Sequence, residues 1–198
     1  IPLRLVGSEM CIRDRGETIV AFAIEHPIAQ VMEPLLKKSD NIYAECLFHR
    51  LAAMSSHKKT ARHQAAAVVD SLIMRLGLEP KDYLIADGSG LSLYNYVTPE
   101  LLVTLLNHAQ HNEQIRQYLQ PCLPIAGVDG TLKKRMTGTR AQGNVLAKTG
   151  TVEGVSSLSG YLTAANGHLI SFSIINQGIA RTRTGHNFQD QVCLILCE

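Results

Sequence analysis

The chain changes character at Asn144. Upstream, apolar residues recur at helical spacing. Downstream, Val145–Ala147, Val155–Thr163 and His168–Asn176 read as three successive strands, with Asn166-Gly167 as a tight hairpin turn between the last two. Gln189–Leu196 then returns to helical spacing. Helices, an antiparallel meander and a terminal helix predict an α/β or α+β architecture, an antiparallel sheet flanked by helices beside a helical region. A doubly wound parallel sheet would need strands and helices to alternate throughout.

The upstream helices can be read one by one. Ile28, Val31, Met32, Leu35 and Leu36 form a stripe over Pro27–Lys38, which Pro34 should break or kink and which Lys37-Lys38 close with cations. Ser39-Asp40 offer capping side chains to a second helix over Asn41–Ala53. An Ala-rich third helix spans Thr60–Leu76 and stops at Gly77. Tyr83–Ala86 reads as a short strand entering the turn Asp87-Gly88-Ser89-Gly90. Thr98-Pro99-Glu100 starts a helix whose buried face is Leu101, Leu102, Leu105, Leu106 and Ala109. A short helix around Ile115–Leu119 ends at Pro121, and a Gly-rich connection, Gly127–Gly143, leads to the strands.

Composition narrows the function classes. A net charge of +2, from 19 basic and 17 acidic side chains, is too even to suggest nucleic acid or a membrane surface as partner. The run Lys133-Lys134-Arg135 reads as a solvated turn. Five scattered cysteines form no Cys-x-x-Cys pair, and Cys193 and Cys197, at i, i+4, read as buried packing. His108 and His111 share a helix face but have no third ligand nearby in sequence, so no metal site is expected. No apolar run reaches the roughly 18 residues of a membrane helix.

Residues 1–15 join poorly to the rest. They show neither strand alternation nor helical spacing, and a clean strand-like run, Thr18–Ala23, follows Gly16. The string GSEMCIRDR resembles a translated sequencing-adapter read, so residues 1–15 are set aside as non-native and 16–198 are taken as the C-terminal part of one larger, here incomplete, domain. The start at Ile1 and the stop inside an apolar helical pattern lead us to expect both ends to be cut.

Two tripeptides carry chemistry. Ser39-Asp40-Asn41 lies in the break between two helices, and Lys148-Thr149-Gly150, followed by Thr151, ends the first strand of the meander. Ser-Asp-Asn and Lys-Thr-Gly, with Ser-x-x-Lys, form the motif set of class A β-lactamases and penicillin-binding proteins. Either tripeptide alone arises by chance in about 2–3 % of chains this long, but both, in this order and these settings, in about 1 % or less. Lys38–Glu45, Asp87–Ser92, Leu123–Leu132 and Val145–Gly160 extend the likeness. On these blocks the chain resembles the D-alanyl-D-alanine carboxypeptidase/endopeptidase family, the class C low-molecular-mass penicillin-binding proteins, from about Thr18 to Gln177.

The resemblance implies a serine hydrolase acting on the D-Ala-D-Ala ends of peptidoglycan stem peptides through an acyl-enzyme, and acylated by β-lactams. Such chemistry needs a hydroxyl nucleophile with a base, a proton for the leaving amine, an oxyanion hole and a cationic seat for a terminal carboxylate. By resemblance Ser39 relays a proton, Asn41 holds the substrate backbone, and Lys148 supplies positive potential next to Ser39 and the substrate carboxylate. Thr149 and Thr151 bind the carboxylate, the Thr151 N–H gives half of the oxyanion hole, and Gly150 lets substrate lie against the strand. Asp87–Ser92 reads as a structural turn below the site. No metal or organic cofactor is implied, and the place of work would be outside the cytoplasmic membrane.

One element departs from the family. No Ser-x-x-Lys precedes Ser39. The two literal matches, Ser55-Ser56-His57-Lys58 and Ser56-His57-Lys58-Lys59, follow it in a polar stretch and are set aside as chance. The nucleophile is therefore expected upstream of this sequence, and these residues alone are expected to be inactive. A serine β-lactamase and a catalytically dead muropeptide-binding homologue are the alternatives, and Asp87–Ser92 with Leu123–Leu132 favours the peptidase.

Overall fold

A computed structural model of the chain describes residues 3–5, 24–55 and 62–198. A two-stranded ribbon opens it, β1 (Leu3–Leu5) antiparallel to β2 (Ile24–His26). β1 lies inside the segment set aside on sequence grounds; the expected strand at Thr18–Ala23 falls outside the described residues. Helices α1 (Ile28–Lys37), α2 (Asn41–Ser55), α3 (Arg62–Arg75), α4 (Pro99–His111) and α5 (Glu113–Leu119) follow. Strands β3 (Leu146–Val152), β4 (Val155–Thr163) and β5 (Leu169–Gln177) then form one antiparallel sheet in that order, and α6 (Thr182–Leu196) ends the chain.

The sheet separates two packed layers. Alternation along a strand sends neighbouring side chains to opposite faces. Register places Ala147, Leu158, Leu162 and Phe172 together on the face that packs with Cys193 of α6 and with Cys197 just after it. Ala147, Leu158, Leu162 and Cys193 are fully buried there, and each leucine contributes about 1.5–3 kcal/mol through burial. The reading of the two cysteines as packing thus holds. The opposite face carries Leu146 and Tyr161, which meet Leu36 of α1, Leu106 of α4, and Cys122 and Leu123. Tyr161 also donates its hydroxyl to Leu106 O at 2.7 Å, tying β4 to α4. Gly160 makes the close approach of β3 possible, because a Cβ there would lie 2.6 Å from Ala147 Cα.

Several boundaries differ from the sequence reading, each for a physical reason. α1 runs through Pro34 without a break, and Lys38 N–H still bonds Pro34 O at 3.1 Å. The start of the third helix at Thr60 lies outside the described residues, but Gly77 ends α3 at φ 82° as expected. Tyr83–Ala86 makes only a single bridge, Leu84 to Tyr96, instead of a strand. The β4–β5 turn is longer than a two-residue hairpin. Gly167 N–H bonds Ala164 O at 2.9 Å, and of Asn166 and Gly167 only the glycine has positive φ, whereas a type I′ turn needs both.

α6 starts seven residues earlier than Gln189, because tertiary packing accepts a glycine in its first turns. A Cβ on buried Gly185 would lie 3.1 Å from Ser156 Cβ and 2.9 Å from Ile179 Cδ1. Arg135 corrects the solvated-turn reading of Lys133-Lys134-Arg135: its Nη2 lies 2.6 Å from Asp190 Oδ1 and 3.0 Å from Gln189 Oε1 on α6, while the two lysines are exposed.

Candidate active site

The loop between α1 and α2 holds Ser39 in a demanding conformation. Its φ is 57°, the left-handed region that usually selects Gly or Asn after a helix. Asp40 alone does the capping expected of Ser39-Asp40: its Oδ1 accepts from the N–H groups of Ile42 at 3.0 Å and Tyr43 at 3.3 Å. The Ser39 hydroxyl is left to face the sheet.

Lys148 meets it there. Register puts Lys148 opposite Ser159 on β4, on the face turned toward the helices. The Lys148 Nζ donates to Ser39 Oγ at 2.7 Å and to Thr149 O at 2.5 Å. Burial pushes the ammonium down from 10.5 to about 8. At pH 7 about a tenth of the population is then the neutral amine, so the pair can both give and take a proton near neutrality.

The other motif residues take different positions. Asn41 is exposed on the first turn of α2 and, with Ile42, Glu45, Cys46, His49, Ser89 and Leu91, borders an open groove of about 450 Å³. Thr149 projects to the sheet face opposite Lys148, where its hydroxyl donates to Thr131 Oγ1 at 2.9 Å. Thr151 is exposed on β3, an edge strand among the described residues. Gly150 has a nearer constraint than substrate access, since a Cβ there would lie 2.5 Å from Ser157 Oγ on β4.

The turn Asp87–Gly90 supports α2 from beneath, as the structural reading expected. Gly88 fits where a Cβ would lie 2.6 Å from Ala44 O and Phe48 Cβ of α2, and Ser89 N–H donates to Glu45 Oε1 at 3.0 Å. Burial works against the Asp87 carboxylate, but donors from Asn95, Ser92 and Gly90, with the Arg62 charge, outweigh it and hold the carboxyl below its ordinary value. His111 uses Nδ1 on Asn107 O at 2.7 Å within its own helix, and no cluster of metal-ligating side chains occurs among the described residues. Apart from Ser55 at the end of α2, the Ser-x-x-Lys matches lie outside the described residues.

An antiparallel sheet between two helical layers, with a Ser-Asp-Asn turn facing a Lys-Thr-Gly edge strand, defines the penicillin-binding class of serine hydrolases. The sequence profile of the D-Ala-D-Ala carboxypeptidase 3 (S13) family matches residues 10–198. The chain belongs to that family. It is 38 % identical over 156 residues to a D-alanyl-D-alanine carboxypeptidase of Actinomadura sp. strain R39, covering 76 % of this chain and 28 % of that one. It is 35 % identical over 157 residues to D-alanyl-D-alanine carboxypeptidase DacB of Haemophilus influenzae, covering 78 % and 32 %. The crystal structure of penicillin binding protein 4 (dacB) from Haemophilus influenzae, complexed with a β-lactam, superposes with a TM-score of 0.76 at 29 % identity over 84 % of this chain and 41 % of that one. The chain thus spans about a third of the length of these curated relatives.

Proposed function

We propose that this chain supplies the second and third motif segments of a serine D-Ala-D-Ala carboxypeptidase/endopeptidase that acts on peptidoglycan peptides and is acylated by penicillins. The contact of Ser39 Oγ with the half-buried Lys148 Nζ at 2.7 Å carries the reading, together with the names of the relatives. In this scheme a nucleophilic serine outside the motifs assigned here attacks the penultimate D-Ala carbonyl. Ser39 passes a proton between that serine's partner and the departing amine. Lys148, whose ammonium burial brings down to about 8, restores the Ser39 proton and sets positive potential beside the substrate carboxylate.

Asn41 would hold the substrate amide along the groove, fixing the acyl group for attack. The hydroxyls of Thr149 and Thr151 would receive the terminal carboxylate at the strand edge, and the Thr151 N–H would face the developing oxyanion. Work outside the cytoplasmic membrane follows from the substrate. The full-length protein carrying these residues should release D-Ala from an acyl-D-Ala-D-Ala peptide, and Lys148→Met should slow that release by about 100-fold or more. Full activity in the Lys148→Met protein would refute the roles given to the two motifs.

A further inference from the structure

Resting on the reading above, we propose that Asp129 and Thr131 are positioning residues that act through Lys37 and Thr149 to set the spacing between Ser39 and Lys148. Neither belongs to the two tripeptides that carry the chemistry. Both lie in the loop Leu123–Leu132, which is fastened at one side to the end of α1 and at the other to β3.

The first fastening lies two residues before Ser39. Lys37, the last residue of α1, reaches with its Nζ to Asp129 Oδ2 and Leu123 O, both at 2.6 Å. The other carboxylate oxygen of Asp129 accepts from Ile125 N–H at 2.8 Å, so the carboxylate folds the loop as well as anchoring it. Gly130 completes the joint: at φ 55°, a Cβ would lie 2.9 Å from Lys37 O and 3.0 Å from Pro124 Cβ. The Lys37 side chain is only 15 % exposed, whereas that of Asp129 is 38 % exposed, so the pair is shielded on the lysine side alone.

The second fastening flanks Lys148 on both sides. Ala147 N–H donates to Pro124 O at 2.9 Å and Ala126 N–H to Val145 O at 2.9 Å, before the lysine. Thr149 donates its hydroxyl to Thr131 Oγ1 at 2.9 Å, just after it. Lys148 itself bonds Thr149 O, so a shift of Thr149 moves the ammonium directly. One ten-residue loop therefore bridges the end of α1, two residues before Ser39, and β3, the strand that carries Lys148. A loop that only closed the fold would not need to end on the residues adjoining both motifs.

The test uses the full-length protein carrying this sequence, with variants Asp129→Asn, Thr131→Val and Thr131→Ser. It reads the acylation rate with benzylpenicillin and the titration of Lys148 followed by NMR at its ε-carbon. Asp129→Asn should slow acylation about 100-fold, as misplacement of a reacting group does. It should also move the Lys148 titration up from about 8 toward 10.5 as the ammonium regains water. Thr131→Val should slow acylation about 10-fold while Thr131→Ser, which keeps the hydroxyl, stays near wild type. Wild-type acylation in Asp129→Asn and Thr131→Val with an unmoved titration would overturn the proposal. Should Asp129→Asn not fold, the exposed Thr131 pair decides it alone. A wild-type protein that is not acylated would refute the peptidase reading, and the Lys148 titration in the variants would still decide whether the loop positions the lysine.

Discussion

Ser39 Oγ accepts a hydrogen bond from Lys148 Nζ across 109 residues of chain, and Ser39 does so from a left-handed backbone position at φ 57°. A non-glycine residue held there stores about 1–2 kcal/mol, which the rest of the fold must offset. Removing the hydroxyl therefore separates strain from chemistry. Ser39→Ala keeps the strain and loses the bond, whereas Ser39→Gly loses both. The glycine variant should be more stable than the alanine variant by about 1 kcal/mol in urea unfolding. Equal stabilities would mean that the turn does not impose this conformation.

Lys148 makes stability depend on pH in a defined direction. Its folded value, about 8, lies below the ordinary 10.5, so burial of the ammonium opposes folding. Below about pH 8 both states are charged and the cost is fully present. Between 8 and 10.5 the unfolded chain holds the proton that the folded chain has released, so stability rises with pH. Relative to Lys148→Met, the wild-type protein should gain up to about 3 kcal/mol over that window. A difference that stays flat from pH 7 to 10.5 would contradict the burial argument.

Asp87 titrates with the opposite sign. Its carboxyl is held below its ordinary value, so its contribution is present above that value and fades as pH falls through the lower, folded one. Asp87→Asn should cost about 1–3 kcal/mol at pH 7, because an amide cannot accept from both Gly90 and Ser92 N–H while also meeting Asn95. The loosened turn should also raise protease sensitivity near Ser89. Unchanged thermal unfolding would show that the turn is not the support of α2.

Tyr161 and His168, two polar residues of the meander that fit no motif, should behave differently. Tyr161→Phe removes the hydroxyl bond that ties β4 to Leu106 O of α4 and should cost about 0.5–1.5 kcal/mol. His168→Ala, at an exposed turn, should change stability by less than about 0.5 kcal/mol. Chemical denaturation of the two variants measures the contrast.

The legible parts of the molecule were those governed by local periodicity. β4 spans Val155–Thr163, as its alternation predicted, and Thr98 caps α4 through Leu101 N–H at 3.2 Å. Long-range packing set what the pattern did not show. The polar start of α6 is helical because Gly185 fits against Ser156, and the cation of Lys37 serves Asp129 instead of the end of its own helix. The candidate site falls between these cases. Its two tripeptides were visible as strings, but the exchange in which Asp40 caps α2 and Ser39 turns to Lys148 depends on a backbone angle that no side-chain pattern encodes.

The most direct measurement is labelling of the full-length protein carrying these residues with a fluorescent penicillin, comparing wild type with Ser39→Ala and Lys148→Met. Loss of either partner should slow labelling about 100-fold or more while the protein stays folded. Labelling at the wild-type rate in both variants would contradict the account.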